Sequence, residues 1–287
     1  IVSGDILRRL VARTVAQQIM PEVEAACAPF QYALSTRAGT ECLSHLLRAS
    51  CDLDPESTVI SVDGIGAFDF ISRNAMLDKL KSLPQGCAAL PFVKLFYGSA
   101  SEYLWQSDDG RTHHISQAEG GEQGDPLMPL LYALGQHEAL QHFANHLRQN
   151  ERVFAFLDDI YITCKPDRVR ELFNTLETCL WEYARVRINQ GKTKIWNKAH
   201  VEPPNISDLV DRQGQPAWRG ATALSPDLQG LVVLGAPLGT NAFVEKHLDN
   251  LRIEHDILLD RLLELPSLQS SWLLLSQCAS ARANYYL

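Results

Sequence analysis

Apolar positions along the chain fall into two rhythms. Ile6, Leu7, Leu10, Val11, Val15 and Ile19 recur at helical spacing and predict a helix over 4–26, interrupted by Pro21. Residues 39–50, 72–81, 88–98 and 167–185 have the same character, and a longer helix is expected from Pro126 to about residue 148. Short continuous apolar runs mark buried strands: Thr58 to Val62, ending in Asp63; Val153 to Leu157; Ile160 to Thr163; and 230–234. Asp108-Asp109-Gly110 between Ser101–Trp105 and Thr112–Ser116 predicts a hairpin within 101–119. Pro203, Pro204, Gly214 and Pro216 mark 202–220 as a loop or insertion. From 243 the chain reads helical, with Pro266 as a break. Helices and strands are interleaved without strict βαβ repeats, so the expected class is α+β or mixed α/β.

The 287 residues suit one large domain or two to three subdomains, and the 46% hydrophobic content supplies a core. No apolar run reaches the ~18 residues of a membrane span. The N-terminus has no signal-peptide pattern and no initiator Met, so the chain reads as a segment of something longer, intracellular (nuclear or cytoplasmic) rather than secreted. Seven scattered cysteines show no zinc spacing and are expected to be reduced thiols. The net charge of −8 argues against nucleic-acid binding as a first guess, because phosphates are bound by lysine and arginine. Any such surface is expected to be local or to lie on parts outside this segment.

Three acids stand out. Asp63 terminates an apolar strand, and Asp158-Asp159 sits between two others. Each alone is equally a cap or a turn. Two adjacent carboxylates at the tip of an apolar hairpin repel each other and call for a cation. Magnesium suits such hard oxygens and leaves positions open for substrate phosphates. Between the acids, Gly120-Gly121-Glu122-Gln123-Gly124-Asp125-Pro126-Leu127 opens the long helix, with glycines that permit close backbone approach. His113-His114 resembles a metal pair, but neighbours on a strand point to opposite faces, so a hairpin surface is expected.

The order of these elements resembles the reverse transcriptase family, most closely its non-LTR retrotransposon and group II intron branch. Asp63-Gly64-Ile65-Gly66-Ala67-Phe68-Asp69 matches motif A, and Gln123-Gly124-Asp125-Pro126-Leu127 with Pro129-Leu130-Leu131 matches motif B. Phe156-Leu157-Asp158-Asp159 matches motif C, with Leu157 where alanine is commoner. Ile188-Asn189-Gln190-Gly191-Lys192-Thr193-Lys194 matches motif D, and Leu234-Gly235-Ala236-Pro237-Leu238-Gly239 matches the primer-grip motif E. Gln31-Tyr32-Ala33-Leu34 with Arg37-Ala38-Gly39-Thr40 is similar to the fingers motif ahead of A. The resemblance spans roughly residues 4–240.

The resemblance implies a right-hand fold. Fingers would come from 1–57 and 82–120, a palm of antiparallel sheet backed by helices from 58–81 and 121–242, and the start of a helical thumb from 243–287. It implies an RNA-directed DNA polymerase, probed against two alternatives: an RNA-dependent RNA polymerase and a non-catalytic RNA-binding palm. Partners would be an RNA template, a DNA or RNA primer and dNTPs. The cofactor would be two Mg²⁺ ions, with Mn²⁺ as a substitute, held by Asp63 and Asp158 with Asp159 more peripheral. Lys192 would approach the triphosphate, with Lys194 as a nearby substitute. Phe68 would pack under the incoming sugar and exclude a 2′-hydroxyl. Gln123 and Gly124 would lie against the nucleotide and template base, and Arg8, Arg9, Arg13 and Arg37 would supply phosphate contacts. Leu234 and Gly235 would grip the primer. Asp69 and Asp125 are expected to be structural.

Overall fold

A computed structural model describes residues 6–34 and 36–283. Its centre is a four-stranded antiparallel sheet of β1 (Thr58–Val62), β4 (Arg152–Phe156), β5 (Asp159–Cys164) and β6 (Lys194–Trp196). Their order across the sheet is β4-β5-β1-β6. β1 runs beside β5 from Thr58↔Cys164 to Val62↔Ile160, and beside β6 from Val59↔Trp196 to Ser61↔Lys194. Because side chains alternate across a strand, the sheet has two apolar faces. Ile60, Val62, Ile160, Ile162 and Ile195 point into one core, and Val59, Tyr161 and Trp196 into the other. Burial on both faces is why these strands read as continuous apolar runs.

The larger core is covered by α1 (Ile6–Cys27), α4 (Arg73–Lys81), α5 (Pro84–Tyr97), α6 (Met128–Ala144) and α7 (Val169–Cys179), which runs on through a π-turn at Leu180–Ala184. α6 is buried almost all round, as expected for a helix apolar on every side. The smaller core lies under α2 (Gly39–Leu53) and a hairpin of β7 (Gly230–Val233) and β8 (Ala236–Gly239). α3 (Ala67–Phe70) is a single turn just after β1. β2 (Ser101–Gln106) and β3 (Thr112–Gln117) form a separate exposed hairpin. α8 (Asn241–Leu263), α9 (Leu268–Leu274) and α10 (Ser280–Ala283) follow, broken after α8 near Pro266 as expected. Among the described residues no helix is long and apolar enough to cross a membrane.

Helix α1 departs from its sequence reading twice. It passes through Pro21 unbroken. Its buried stripe is Ala12, Ala16, Ile19, Val23 and Cys27, whereas Ile6, Leu7 and Leu10 are 82%, 72% and 62% exposed. Small side chains let the helix sit close to its neighbours, so the close-packed face is not the one with the largest apolar residues. The hairpin tip also shifts by one residue. Phe156 pairs with Asp159, so the turn is Leu157-Asp158 and Asp159 already belongs to β5.

Candidate active site

Antiparallel pairing brings the three acids to one end of the sheet. Val62 faces Ile160, so Asp63, the next residue along β1, emerges beside Asp159 at the start of β5. Motif D is stitched to the same end. Asn189 N–H donates to the Asp63 carbonyl at 2.8 Å, Ile65 N–H to the Arg187 carbonyl at 2.8 Å, and Gly64 bridges Ile188. That places the short turn Gln190–Lys192 over the acids. Lys192 Nζ lies 3.1 Å from Asp63 Oδ2, yet out of line to donate to it, so this buried oxygen accepts no hydrogen bond.

The electrostatics follow from this crowding. Burial raises the Asp158 carboxyl above the usual carboxylate range, and Asp63 adds to the effect while Lys192 offsets part of it. Burial also pushes Asp159 up to about 6, with further repulsion from Asp158 and Asp63. Beneath them the fully buried Tyr132 hydroxyl is raised by burial and by the same three acids. Among the described residues no three acid, histidine or cysteine side chains converge into a preformed metal cage. The donor set nevertheless fits a hard divalent cation: three carboxylates, with a buried Asp63 oxygen that accepts no hydrogen bond, and with Asp158 and Asp159 made costly to ionise by burial and by their neighbours.

Phe68 lies on α3, five residues beyond Asp63, and stacks on Tyr132 with ring centroids 4.6 Å apart and planes 15° from parallel. Tyr132 is fully buried in the core and backs the Phe68 ring. The motif B loop is tied to the same place: Gly121 N–H donates to the Phe68 carbonyl at 2.9 Å and Gly120 N–H to the Ile71 carbonyl at 2.8 Å. A Cβ at Gly120 would lie 2.2 Å from the Asp69 backbone, and φ there is +65°. Gln123 and Gly124 are exposed at the loop's crest, where Gly124 takes φ +101°. Only glycine holds such angles without strain.

The basic residues separate into two kinds. Arg9, Arg13 and Arg37 are exposed and form no ion pair among the described residues. Arg8 is different, and the free phosphate-binding cation expected of it is not what the structure presents. Its guanidinium pairs with Glu122 and Asp125, each at 2.9 Å, and lies 4.0 Å over the Phe96 ring. Asp125 also accepts from Tyr97 OH at 2.6 Å and from Leu127 N–H at 2.9 Å. A second buried arginine, Arg73, donates to the carbonyls of Gly120 and Ser99 at 2.8 and 2.6 Å. These two side chains fix the ends of the motif B loop. Their partners lie far away in sequence, so no local signal marked them. Asp69 is exposed and outside the acid group.

Leu234 (φ +48°) and Gly235 (φ +93°) form the two-residue turn between β7 and β8, the double positive-φ pattern of a type I′ hairpin. Leu234 N–H donates to Tyr161 OH at 3.3 Å, two residues along β5 from Asp159, and Gly235 contacts His247 of α8 through its carbonyl at 3.1 Å. The histidine pair sits on the exposed β2–β3 hairpin, His113 against Trp105 and His114 beside Glu102. No cysteine is paired among the described residues; Cys27, Cys51, Cys164 and Cys179 are buried thiols.

Comparison with known proteins agrees with this layout. No curated protein matches the chain. Among solved structures, telomerase from Candida albicans in complex with a fragment of telomeric RNA superposes with a TM-score of 0.52 at 12% identity, over 81% of this chain and 38% of that one. Apo telomerase from Candida tropicalis, truncated from its C-terminal domain, gives 0.50 at 11% identity over 66% and 40%. At such identities the likeness is one of fold, and this chain spans about two-fifths of those proteins' length. The family described as reverse transcriptase (RNA-dependent DNA polymerase) matches residues 5–219, well over half of the sequence and every element that builds the acid site. The chain belongs to the reverse transcriptase family.

Proposed function

We propose that the chain carries the fingers and palm of an RNA-directed DNA polymerase, with the start of a thumb, and extends a primer 3′-hydroxyl with dNTPs on an RNA template. The observation that carries this reading is the meeting of Asp63 with Asp158-Asp159 at one sheet end, around a buried Asp63 oxygen that Lys192 approaches to 3.1 Å without a hydrogen bond. Asp63, Asp158 and Asp159 are the residues to hold two Mg²⁺ ions, or Mn²⁺ in their place. When bound, such ions sharpen the attacking hydroxyl and neutralise charge on the leaving pyrophosphate.

The protein's own share is positioning. Phe68, backed by Tyr132, presents a flat wall to the sugar and disfavours a 2′-hydroxyl. Gln123 and Gly124 offer an exposed, close-approaching backbone to the base pair being formed. Lys192, 65% exposed beside Asp63, would approach the triphosphate and protonate the departing pyrophosphate, a role its nearness to the acids supports. Arg9, Arg13 and Arg37, exposed on the surface, would meet phosphates, and the Leu234-Gly235 turn would bear on the primer. Arg8 holds the motif B loop instead. The motif resemblance supports a retroelement origin. Fingers would comprise 1–57 and 82–120, palm 58–81 and 121–242, and thumb 243–287.

A primer-extension assay on an RNA template, with dNTPs against NTPs and with Asp158→Asn as control, tests the proposal. Mg²⁺-dependent dNTP incorporation lost in Asp158→Asn is expected. Preference for NTPs would indicate an RNA polymerase, and RNA binding without incorporation a non-catalytic palm.

A further inference from the structure

The two residues that turn β4 into β5 have no partner for their N–H groups within the hairpin ladder, because Phe156 and Asp159 close it. Leu157 is moreover held at φ +56° while Asp158 is not among the positive-φ residues, the pattern of a type II′ turn whose first position favours glycine. A leucine stays there only if its surroundings insist on it. Gln31 supplies that insistence. Its Oε1 accepts the Leu157 N–H at 2.7 Å. Its backbone is locked to β4 on both sides, Tyr32 N–H donating to the Ala155 carbonyl and Ala155 N–H to the Phe30 carbonyl, each at 2.8 Å.

The Leu157 N–H can only donate, so it sets the orientation of the Gln31 amide, and a buried chain continues behind that amide. Its Nε2 donates to Gln136 Oε1 at 3.5 Å, and Gln136 Nε2 donates to Tyr132 OH at 3.4 Å. Gln31, Gln136 and Tyr132 are all buried. A flipped Gln31 amide would set NH₂ against the Leu157 N–H and lose that bond. The relay therefore runs from the turn bearing the acids, through the fingers segment, to the ring that backs Phe68.

We propose that Gln31 is a positioning residue: its amide oxygen holds the Leu157-Asp158 turn in the conformation that sets Asp158 and Asp159 beside Asp63. The catalytic consequence rests on the polymerase reading above; the hold on the turn does not. Gln31→Met keeps length and removes the acceptor, Gln31→Glu keeps the acceptor, and Leu157→Gly removes the strain. Hydrogen exchange of the Leu157 amide reads the turn without any activity. It is expected to be protected in wild type and Gln31→Glu and to exchange at least about tenfold faster in Gln31→Met, with Val62 and Ile160 unchanged.

In single-turnover primer extension, Gln31→Met should lower the rate by roughly 10- to 100-fold, as a displaced catalytic group does. KM for dNTP should stay within about twofold. Leu157→Gly should recover most of that loss in the double variant, which a mere packing defect at Gln31 would not permit. Equal losses with and without Leu157→Gly overturn the proposal, as does an unchanged Leu157 amide in Gln31→Met. Should Gln31→Met not fold, an unprotected Leu157 amide in wild type, or its exposure in Gln31→Glu, does so instead. A wild-type protein that never extends a primer, yet shows the exchange pattern, refutes the polymerase reading and leaves the turn assignment standing.

Discussion

Replacing Asp125 by asparagine tests whether the motif B loop is held by an internal charge cluster. The carboxylate, only 4% exposed, accepts from Arg8, Tyr97 and Leu127 N–H. Asparagine fits the space but turns an NH₂ toward two groups that are themselves donors, Arg8 and Tyr97. One hydrogen bond to a charged group contributes about 1.5–3 kcal/mol, and breaking a buried pair costs roughly 3–5 kcal/mol. Arg8 keeps Glu122 at 2.9 Å and is partly hydrated, so the low end applies: about 3 kcal/mol. At roughly 2 °C per kcal/mol for a chain of this size, the melting temperature should fall by about 6 °C. Urea unfolding should show the same loss with an unchanged slope. Asp167→Asn, which breaks the exposed 3.8 Å pair with Arg148, is the control and should change stability by less than about 0.5 kcal/mol. An Asp125→Asn variant indistinguishable from that control would refute the clamp.

Three further outcomes are expected. His137 is buried with an unpartnered Nδ1, and burial chiefly, with Lys79, lowers its pKa to about 4 from 6.5. The unfolded chain therefore takes up a proton between pH 6.5 and 4 that the folded one refuses, so stability drops as pH falls through that window, by up to about 3 kcal/mol. His137→Phe should remove that part of the slope in calorimetric melts from pH 7 to 4.5, and an identical slope would contradict the assignment. Asp159 is raised to about 6, so its ionised form opposes folding at pH 7. Asp159→Asn should melt higher than wild type in EDTA at pH 7, by no more than about 3 kcal/mol, while extension activity falls; a lower melting temperature would count against crowded carboxylates. Phe68→Ala should admit ribonucleotides in primer extension, and an active variant that discriminates as wild type does would dismiss Phe68 as the gate.

What the sequence disclosed depended on how far apart the cooperating residues lie. The strands of the sheet and the acids at their ends were legible because a strand buried on both faces leaves a continuous apolar run, and an acid closing such a run is conspicuous at once. The long-range ties were not legible. Arg8 looked like a free cation on a helix because Glu122 and Asp125 are more than a hundred residues away. Gln31 and Gln136, equally distant in sequence, carry no pattern as isolated glutamines, yet burial obliges each amide to find a partner. The α1 stripe was misplaced for a related reason: periodicity weighs side chains by size, whereas close approach to α5 and α6 selects alanines 12 and 16. The hairpin tip shows how chemistry and fold are joined. An apolar run signals where the strands lie, but only the register Phe156↔Asp159 decides that one acid sits in the turn and the other on the strand. With a side-chain period of two, a slip of one residue would send Asp159 to the opposite face of the sheet. The bond from Gln31 to Leu157, outside the ladder itself, meets the turn where the ladder ends, and this is why the hold on the turn that carries Asp158 is assigned to Gln31.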